Sequence, residues 1–382
     1  LAEGATASLT LRGATVQDNT ALSDGGGLSV GSNIAVTIVN STIANNTGRL
    51  GGGLVANNVP NLALTGTVIR NNVATTRGGG VFLSGNTNAA IGTSTIRGNR
   101  ADETGGGGLY AQNTSIARLT TTVVDSNVAN GSASATQGGG GIWAGAGTRV
   151  EVNGGCVTHN VTQEGWGAAI FTVSNTVVLT DVVARNNRAG GAGGAYSFTS
   201  QANVTITGGA VRDNQAVIGA GGGMIAGAST VSVTNTEFTG NRCELRGGGI
   251  QLITSGQATL TNVTVTNNEC QQDGGGIGAF EAVALTMSGG VVDNNRSLLA
   301  TGGGMSRNTT SPLIITGTRF SNNRAQTQGG GMQLSGTGAV TLRNVTVTGN
   351  TAVTSGGGGF TVGGNATLME NKIGRASCRE RV

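Results

Sequence analysis

Residues 238–268 read FTGNRCELRGGGIQLITSGQATLTNVTVTNN and contain one full cycle of a pattern that runs along the whole chain. Phe238 stands three residues before Asn241, the glycines at 247–249 lead into Ile250, alternating apolar residues follow, and the cycle closes at Val265 and Asn268. The asparagine recurs thirteen times, as Asn19, Asn46, Asn72, Asn99, Asn127, Asn160, Asn187, Asn214, Asn241, Asn268, Asn295, Asn323 and Asn350. Successive members lie 26 to 28 residues apart, with one interval of 33. A period of that size marks a solenoid, whose units bury their apolar faces against one another.

Within each cycle the residue after the glycines points inward and so does the residue two later, as at Leu28 and Val30 or Val81 and Leu83. A second strand alternates, as in Val36-Thr37-Ile38 and Val204-Thr205-Ile206. A third ends three residues before the asparagine in Val16, Ile43, Ile69, Ile96, Val124, Val157, Val211, Phe238, Val265, Val292, Phe320 or Val347, with Ala184 as the exception. Asparagine accepts a left-handed backbone, and stacked amides hydrogen-bond along an axis, so the thirteen are expected to form an internal structural ladder. Two residues on, small side chains such as Ala74, Ala101 and Cys270 fit a tight corner. The expected fold is all-β: a right-handed single-stranded parallel β-helix of about 13 coils of about 27 residues, with three short strands per coil.

Glycine supplies 71 residues and proline only 2, but the glycine is periodic, which separates this chain from a disordered one. One repeat domain is expected over residues 1–371, a fragment truncated at both ends, since the chain opens on Leu1 inside a repeat. Residues 372–382 break the pattern, and IGRASCRERV at 373–382 reads as one translated frame of a sequencing-library adapter, so this tail is expected to be an artefact. The full chain carries 22 Lys+Arg and 18 Asp+Glu; without the tail it has 18 arginines, no lysine and 17 acids. That balance, with no basic stripe, gives no footprint for nucleic acid. No run is long and apolar enough for a membrane-spanning helix.

The chemistry-bearing residues are sparse. Acids are scattered, and Asp102-Glu103 is the one adjacent pair, so no paired carboxylates for glycoside hydrolysis and no calcium cluster emerge. His159 is the sole histidine, and beside Asn160 it reads as a turn residue. The repeated glycines lack the Lys-Ser/Thr of a phosphate loop. No catalytic, cofactor-binding or metal-binding residue is assigned, and no cofactor is expected. Cys243 and Cys270 share one register, about 4.8 Å apart by strand spacing and within disulfide reach. Strain between strand neighbours leads to the expectation of two stacked reduced thiols. Phe82, Tyr110, Trp143 and Phe171 each follow a post-glycine residue in consecutive coils, so they are expected to form an outward strip, the candidate binding surface for a sugar or a protein. The arc from the post-glycine residue to the next asparagine is always 17 or 18 residues, whereas the arc from asparagine to the next post-glycine residue varies from 8 to 15. The longest case includes 129–137, beside the aromatics, and variable loops on a rigid scaffold are where recognition resides.

Phe238-Thr-Gly-Asn241 and Phe320-Ser-Asn-Asn323 match an FxxN element, Gly193-Gly194-Ala195-Tyr196 matches GGA[ILVY], and Gly167-Ala168-Ala169-Ile170 nearly does. The chain thereby resembles the polymorphic outer-membrane-protein (Pmp) repeats of bacterial surface proteins, within the pectate-lyase-like β-helix superfamily. That resemblance implies an extracellular or cell-surface location and a structural or adhesive stalk or autotransporter passenger, but not a ligand; the partner expected is a glycan or a host or neighbour-cell surface protein. The second reading is a carbohydrate-active β-helix enzyme, a polysaccharide lyase or glycoside hydrolase. A third is an ice-binding β-solenoid, placed last because the outward threonines are expected to form no regular two-column array.

Overall fold

The computed structural model describes residues 7–31, 33–131, 137–364, 366–369, 371–374 and 377–378. The protein is all-β, a parallel β-solenoid of about 13 turns of about 27 residues, and among the described residues there is no helix. It divides into two compact units, Leu1–Gly190 and Gly191–Val382.

In the first unit a representative coil has a post-glycine strand Val81–Ser84, a long strand Asn88–Gly92, a pre-asparagine strand Thr95–Arg97 and a post-asparagine strand Arg100–Ala101. Each pairs in parallel with its counterpart one coil on, Val81 with Leu109, Ile91 with Leu119, Ile96 with Val124 and Arg100 with Val128. The second unit repeats the plan: Ile250 pairs with Ile277, Leu260 with Met287, Val265 with Val292 and Arg242 with Glu269. The expectation of three strands per coil is therefore corrected to four. The residues after the asparagine remain extended long enough to pair, and their inward small residues Ala74, Ala101 and Ala129 are buried within a fourth sheet where the spacing predicts only a tight corner.

The core lies inside the coils. Leu54, Val81, Leu109, Ile142 and Ile170 in the first unit, and Met224, Ile250, Ile277, Met305 and Met332 in the second, are wholly buried. Each large apolar side chain withdrawn from water contributes about 1.5–3 kcal/mol. The glycine turn works through backbone geometry. Gly247 has φ +68°, and a Cβ there would lie 2.4 Å from the carbonyl oxygen of Ile250, so only glycine reaches this bend without strain.

The asparagines line up within each unit. Asn72 Oδ1 accepts from both the backbone N–H and Nδ2 of Asn46, each at 3.0 Å. Its own Nδ2 donates to Asn99 Oδ1 at 2.9 Å and to the carbonyl of Ile43 at 3.0 Å. The same set recurs at Asn268, which accepts twice from Asn241 and donates to Asn295 and to Phe238 O. The left-handed residue is the one before the ladder member, as at Asn71 (φ 54°) and Asn267 (φ 56°), not the ladder asparagine itself.

Replacing Asn268 by leucine strands the backbone N–H and Nδ2 of Asn241 in a buried site. The expected cost is about 3 kcal/mol, read as a lower urea midpoint. An unchanged midpoint would remove the ladder's structural role.

Candidate functional site

The four aromatics do share a column. Val81–Ser84, Leu109–Ala111, Ile142–Ala144 and Ile170–Val173 are successive post-glycine strands, pairing Phe82 with Tyr110, Tyr110 with Trp143 and Trp143 with Phe171. Their rings stack with centroids 5.5, 4.0 and 6.3 Å apart. The Arg77 guanidinium lies 5.5 Å from the Tyr110 ring centroid. The expectation of an open outward strip is nevertheless corrected: Phe82 and Tyr110 are 3% exposed, Phe171 is 0%, and only Trp143 is half-buried. Burial pushes the Tyr110 hydroxyl pKa up to about 12 against the lowering influence of Arg77.

The glycine corner covers these rings. After the asparagine the chain doubles back over the outside of the post-glycine sheet, and a Cβ on Gly78 would stand 3.1 Å from Phe82 Cβ, one on Gly106 2.7 Å from Tyr110 Cβ. The covering arcs also pair with each other, Arg77 with Gly105, Gly105 with Gly138 and Gly138 with Trp166. Val55 and Leu50 extend the packed cluster. Of the long arc at 129–137, residues 132–136 lie outside the described residues. Strand alternation identified side chains pointing away from the coil interior, but pointing away is not facing water when a loop lies on top. Apolar residues in the same column, Val55 and Ile225, carried that signal in the sequence.

His159 sits at the left-handed position before Asn160, with φ 52°. Its Nδ1 lies 2.9 Å from Asp125 Oδ1, and Asn186 Nδ2 lies 3.2 Å from its Nε2. This fits a neutral ring that donates to the carboxylate and accepts from the amide. Burial opposes the charge on Asp125, but hydrogen bonds from Thr158, His159 and Ser126 outweigh it and hold the carboxyl below its usual range. The Thr158 hydroxyl bonds the same carboxylate at 2.7 Å, so this is a polar chain along a turn column with the histidine's far nitrogen committed to an amide. Among the described residues no three of His, Cys, Asp and Glu gather as a metal site.

One feature of the second unit carries no local signal in the linear sequence. Asp213, Arg242, Asn267, Glu269 and Arg296 line a surface groove of about 470 Å³ beside the ladder, where Arg296 Nη1 is 3.9 Å from Glu269 Oε2. Its residues come from consecutive coils, so only the folded register assembles them. Nearby, Cys243 and Cys270 are joined in a disulfide with Cα atoms 4.8 Å apart, which corrects the expectation of reduced thiols. Cys156 remains a free, half-buried thiol.

The outward hydroxyls are also more regular than expected. In the long strands Asn203–Thr207, Thr230–Thr234, Gly256–Thr261 and Val283–Ser288, the pairs Thr205/Thr207, Ser232/Thr234, Thr259/Thr261 and Thr286/Ser288 fall on two straight columns without a register shift. The same face of the first unit is irregular and carries Arg118, Arg149 and Glu151, which pair with one another.

Because the aromatic stack is buried, Tyr110→Ala is expected to act as a core truncation costing about 3–5 kcal/mol, read by thermal unfolding. A variant as stable as the wild type would return the rings to the surface.

The sequence model of the family described as right handed beta helix region matches residues 4–157, 149–309 and 246–373. No curated protein matches the chain. Matching segments that run from residue 4 to residue 373, on a parallel solenoid with an internal asparagine ladder, place the chain in the right-handed β-helix family.

Proposed function

We propose that this chain is an extracellular structural and adhesive β-helix, a stalk or passenger region of a bacterial surface or secreted protein of the Pmp-repeat type. The observation that carries the reading is the Cys243–Cys270 disulfide, which links successive coils across 27 residues. Bridges of this kind persist in oxidising surroundings such as a periplasm or cell exterior. The FxxN and GGA elements supply the family likeness, and the long saturated ladder suits a rigid spacer. With the aromatic column buried, recognition passes to the groove of Asp213, Arg242, Asn267, Glu269 and Arg296. Guanidinium, carboxylate and amide groups together offer directional hydrogen bonds to the hydroxyl and acidic groups of a glycan or a protein loop.

A carbohydrate-active enzyme remains the second reading, because Asp213 and Glu269 line that same groove. Release of reducing ends from a polysaccharide panel, lost in Glu269→Gln, would favour it over adhesion.

Two outcomes are expected. On a glycan array and in a cell-adhesion assay, Arg242→Ala/Arg296→Ala should bind about tenfold less than the wild type at unchanged melting temperature; equal binding would exclude the groove. Reduction of the folded protein should cost about 3.5 kcal/mol, as expected for closing a loop of this size. Free-thiol labelling of Cys243 and Cys270 in protein from an oxidising compartment would undercut the export argument.

A further inference from the structure

We infer that the long-strand face of the second unit is an ice-binding surface, its ligand the oxygen lattice of crystalline water. The inference stands apart from the adhesive groove, which lies on other strands. Four consecutive coils contribute two hydroxyl residues each, and the parallel pairs Thr205 with Ser232, Ser232 with Thr259 and Thr259 with Thr286 keep each column straight. Repeats are then about 4.8 Å between coils and about 6.6 Å between columns, from strand spacing and two residues of rise. Both are close to repeats of the oxygen rows on prism faces of hexagonal ice.

Three further observations point to a water lattice. First, the third outward column of these coils is Asn203, Thr230, Gln257 and Ala284, so none of the twelve outward positions is charged. A charge would orient its own hydration shell and disrupt lattice order, whereas threonine offers a methyl and a hydroxyl side by side. Second, among the described residues none of the eight array hydroxyls is bonded to protein, in contrast to the buried Thr236 in the adjoining turn, which bonds the carbonyls of Gly208 and Thr234. Free hydroxyls are available to a lattice; satisfied ones are not. Third, the strands beneath are pinned by Val204/Ile206, Val231/Val233, Ala258/Leu260 and Leu285/Met287, all 4% exposed or less. The first unit supplies the internal control: its face has the same backbone but carries Arg118, Arg149 and Glu151 in ion pairs.

The test uses the full chain. Nanolitre osmometry should show a gap between melting and freezing temperature with faceted crystals, and the protein should concentrate into a slowly growing ice phase. Ser232→Lys/Thr259→Lys should lose at least tenfold of the gap while keeping its melting temperature. Thr37→Lys/Ala63→Lys, on the same face of the first unit, should keep it. A folded wild type with no gap and no partition into ice overturns the proposal, as does equal loss in both variants. Adsorption to crystalline cellulose or chitin without adsorption to ice also overturns it. Should the array variant unfold, partition of the wild type into ice decides alone.

Discussion

The asparagine ladder is the constraint on which each unit depends. A side-chain amide has two donors and a doubly accepting oxygen, and at Asn72 and Asn268 all of these are used between successive coils. Removing any such group from water unpaired costs more than its bond contributes, so the ladder acts chiefly by penalising other registers. A coil displaced by one residue would bring a different side chain, such as Val73 or Glu269, to the place where its neighbour presents two buried N–H donors. From this fixed point the chain needs the same 17 or 18 residues of strand and turn before every asparagine. Length variation is confined to the arc that leaves it.

That arc explains the second structural layer. A left-handed residue, a ladder asparagine and a short pairing strand bring the chain to a glycine at positive φ, from which it can re-enter the post-glycine sheet. The bend passes over the outer side of that sheet, so its outward column becomes an auxiliary core. Val55, Phe82, Tyr110, Phe171 and Ile225 fill it with apolar surface, while Ser197 and Gln251 occupy it elsewhere, equally buried. The continuous stack from Phe82 to Phe171 is one solution to filling this space. Large flat rings one coil apart pack face to face because the strand spacing permits it.

The repeat made the fold legible. Period, inward positions and the ladder column could all be read from spacing, because parallel stacking converts sequence distance directly into spatial neighbourhood. Reasoning failed where a residue's surroundings came from a different arc of the same coil. The fourth sheet was missed because two extended residues, such as Arg100–Ala101, leave no alternation to detect. The aromatic column was assigned to solvent because alternation reports direction from the axis and is blind to a covering loop. The charged groove needed Arg242, Glu269 and Arg296 to be seen as vertical neighbours. That was accessible from the 27-residue offset but was masked by their isolation along the chain.

The same logic separates what the scaffold requires from what it leaves open. Inward and ladder positions are fixed by packing and hydrogen bonding, and the outer column of the post-glycine sheet is fixed by the arc above it. The outward side of the long strands bears no such demand, since among the described residues no arc pairs across it as the glycine arcs do over the post-glycine sheet. Its two versions here differ accordingly, ion-paired Arg118, Glu151 and Arg149 in the first unit and uncharged Thr205, Ser232, Thr259 and Thr286 in the second. Under both patterns the inward residues stay buried, Leu119 and Val152 beneath the first and Val233 and Leu260 beneath the second. Through four coils of the second unit that face keeps one uncharged, hydroxyl-rich chemistry in straight register, the one part of the coil surface where such regularity is not already demanded by the ladder or the covering arc.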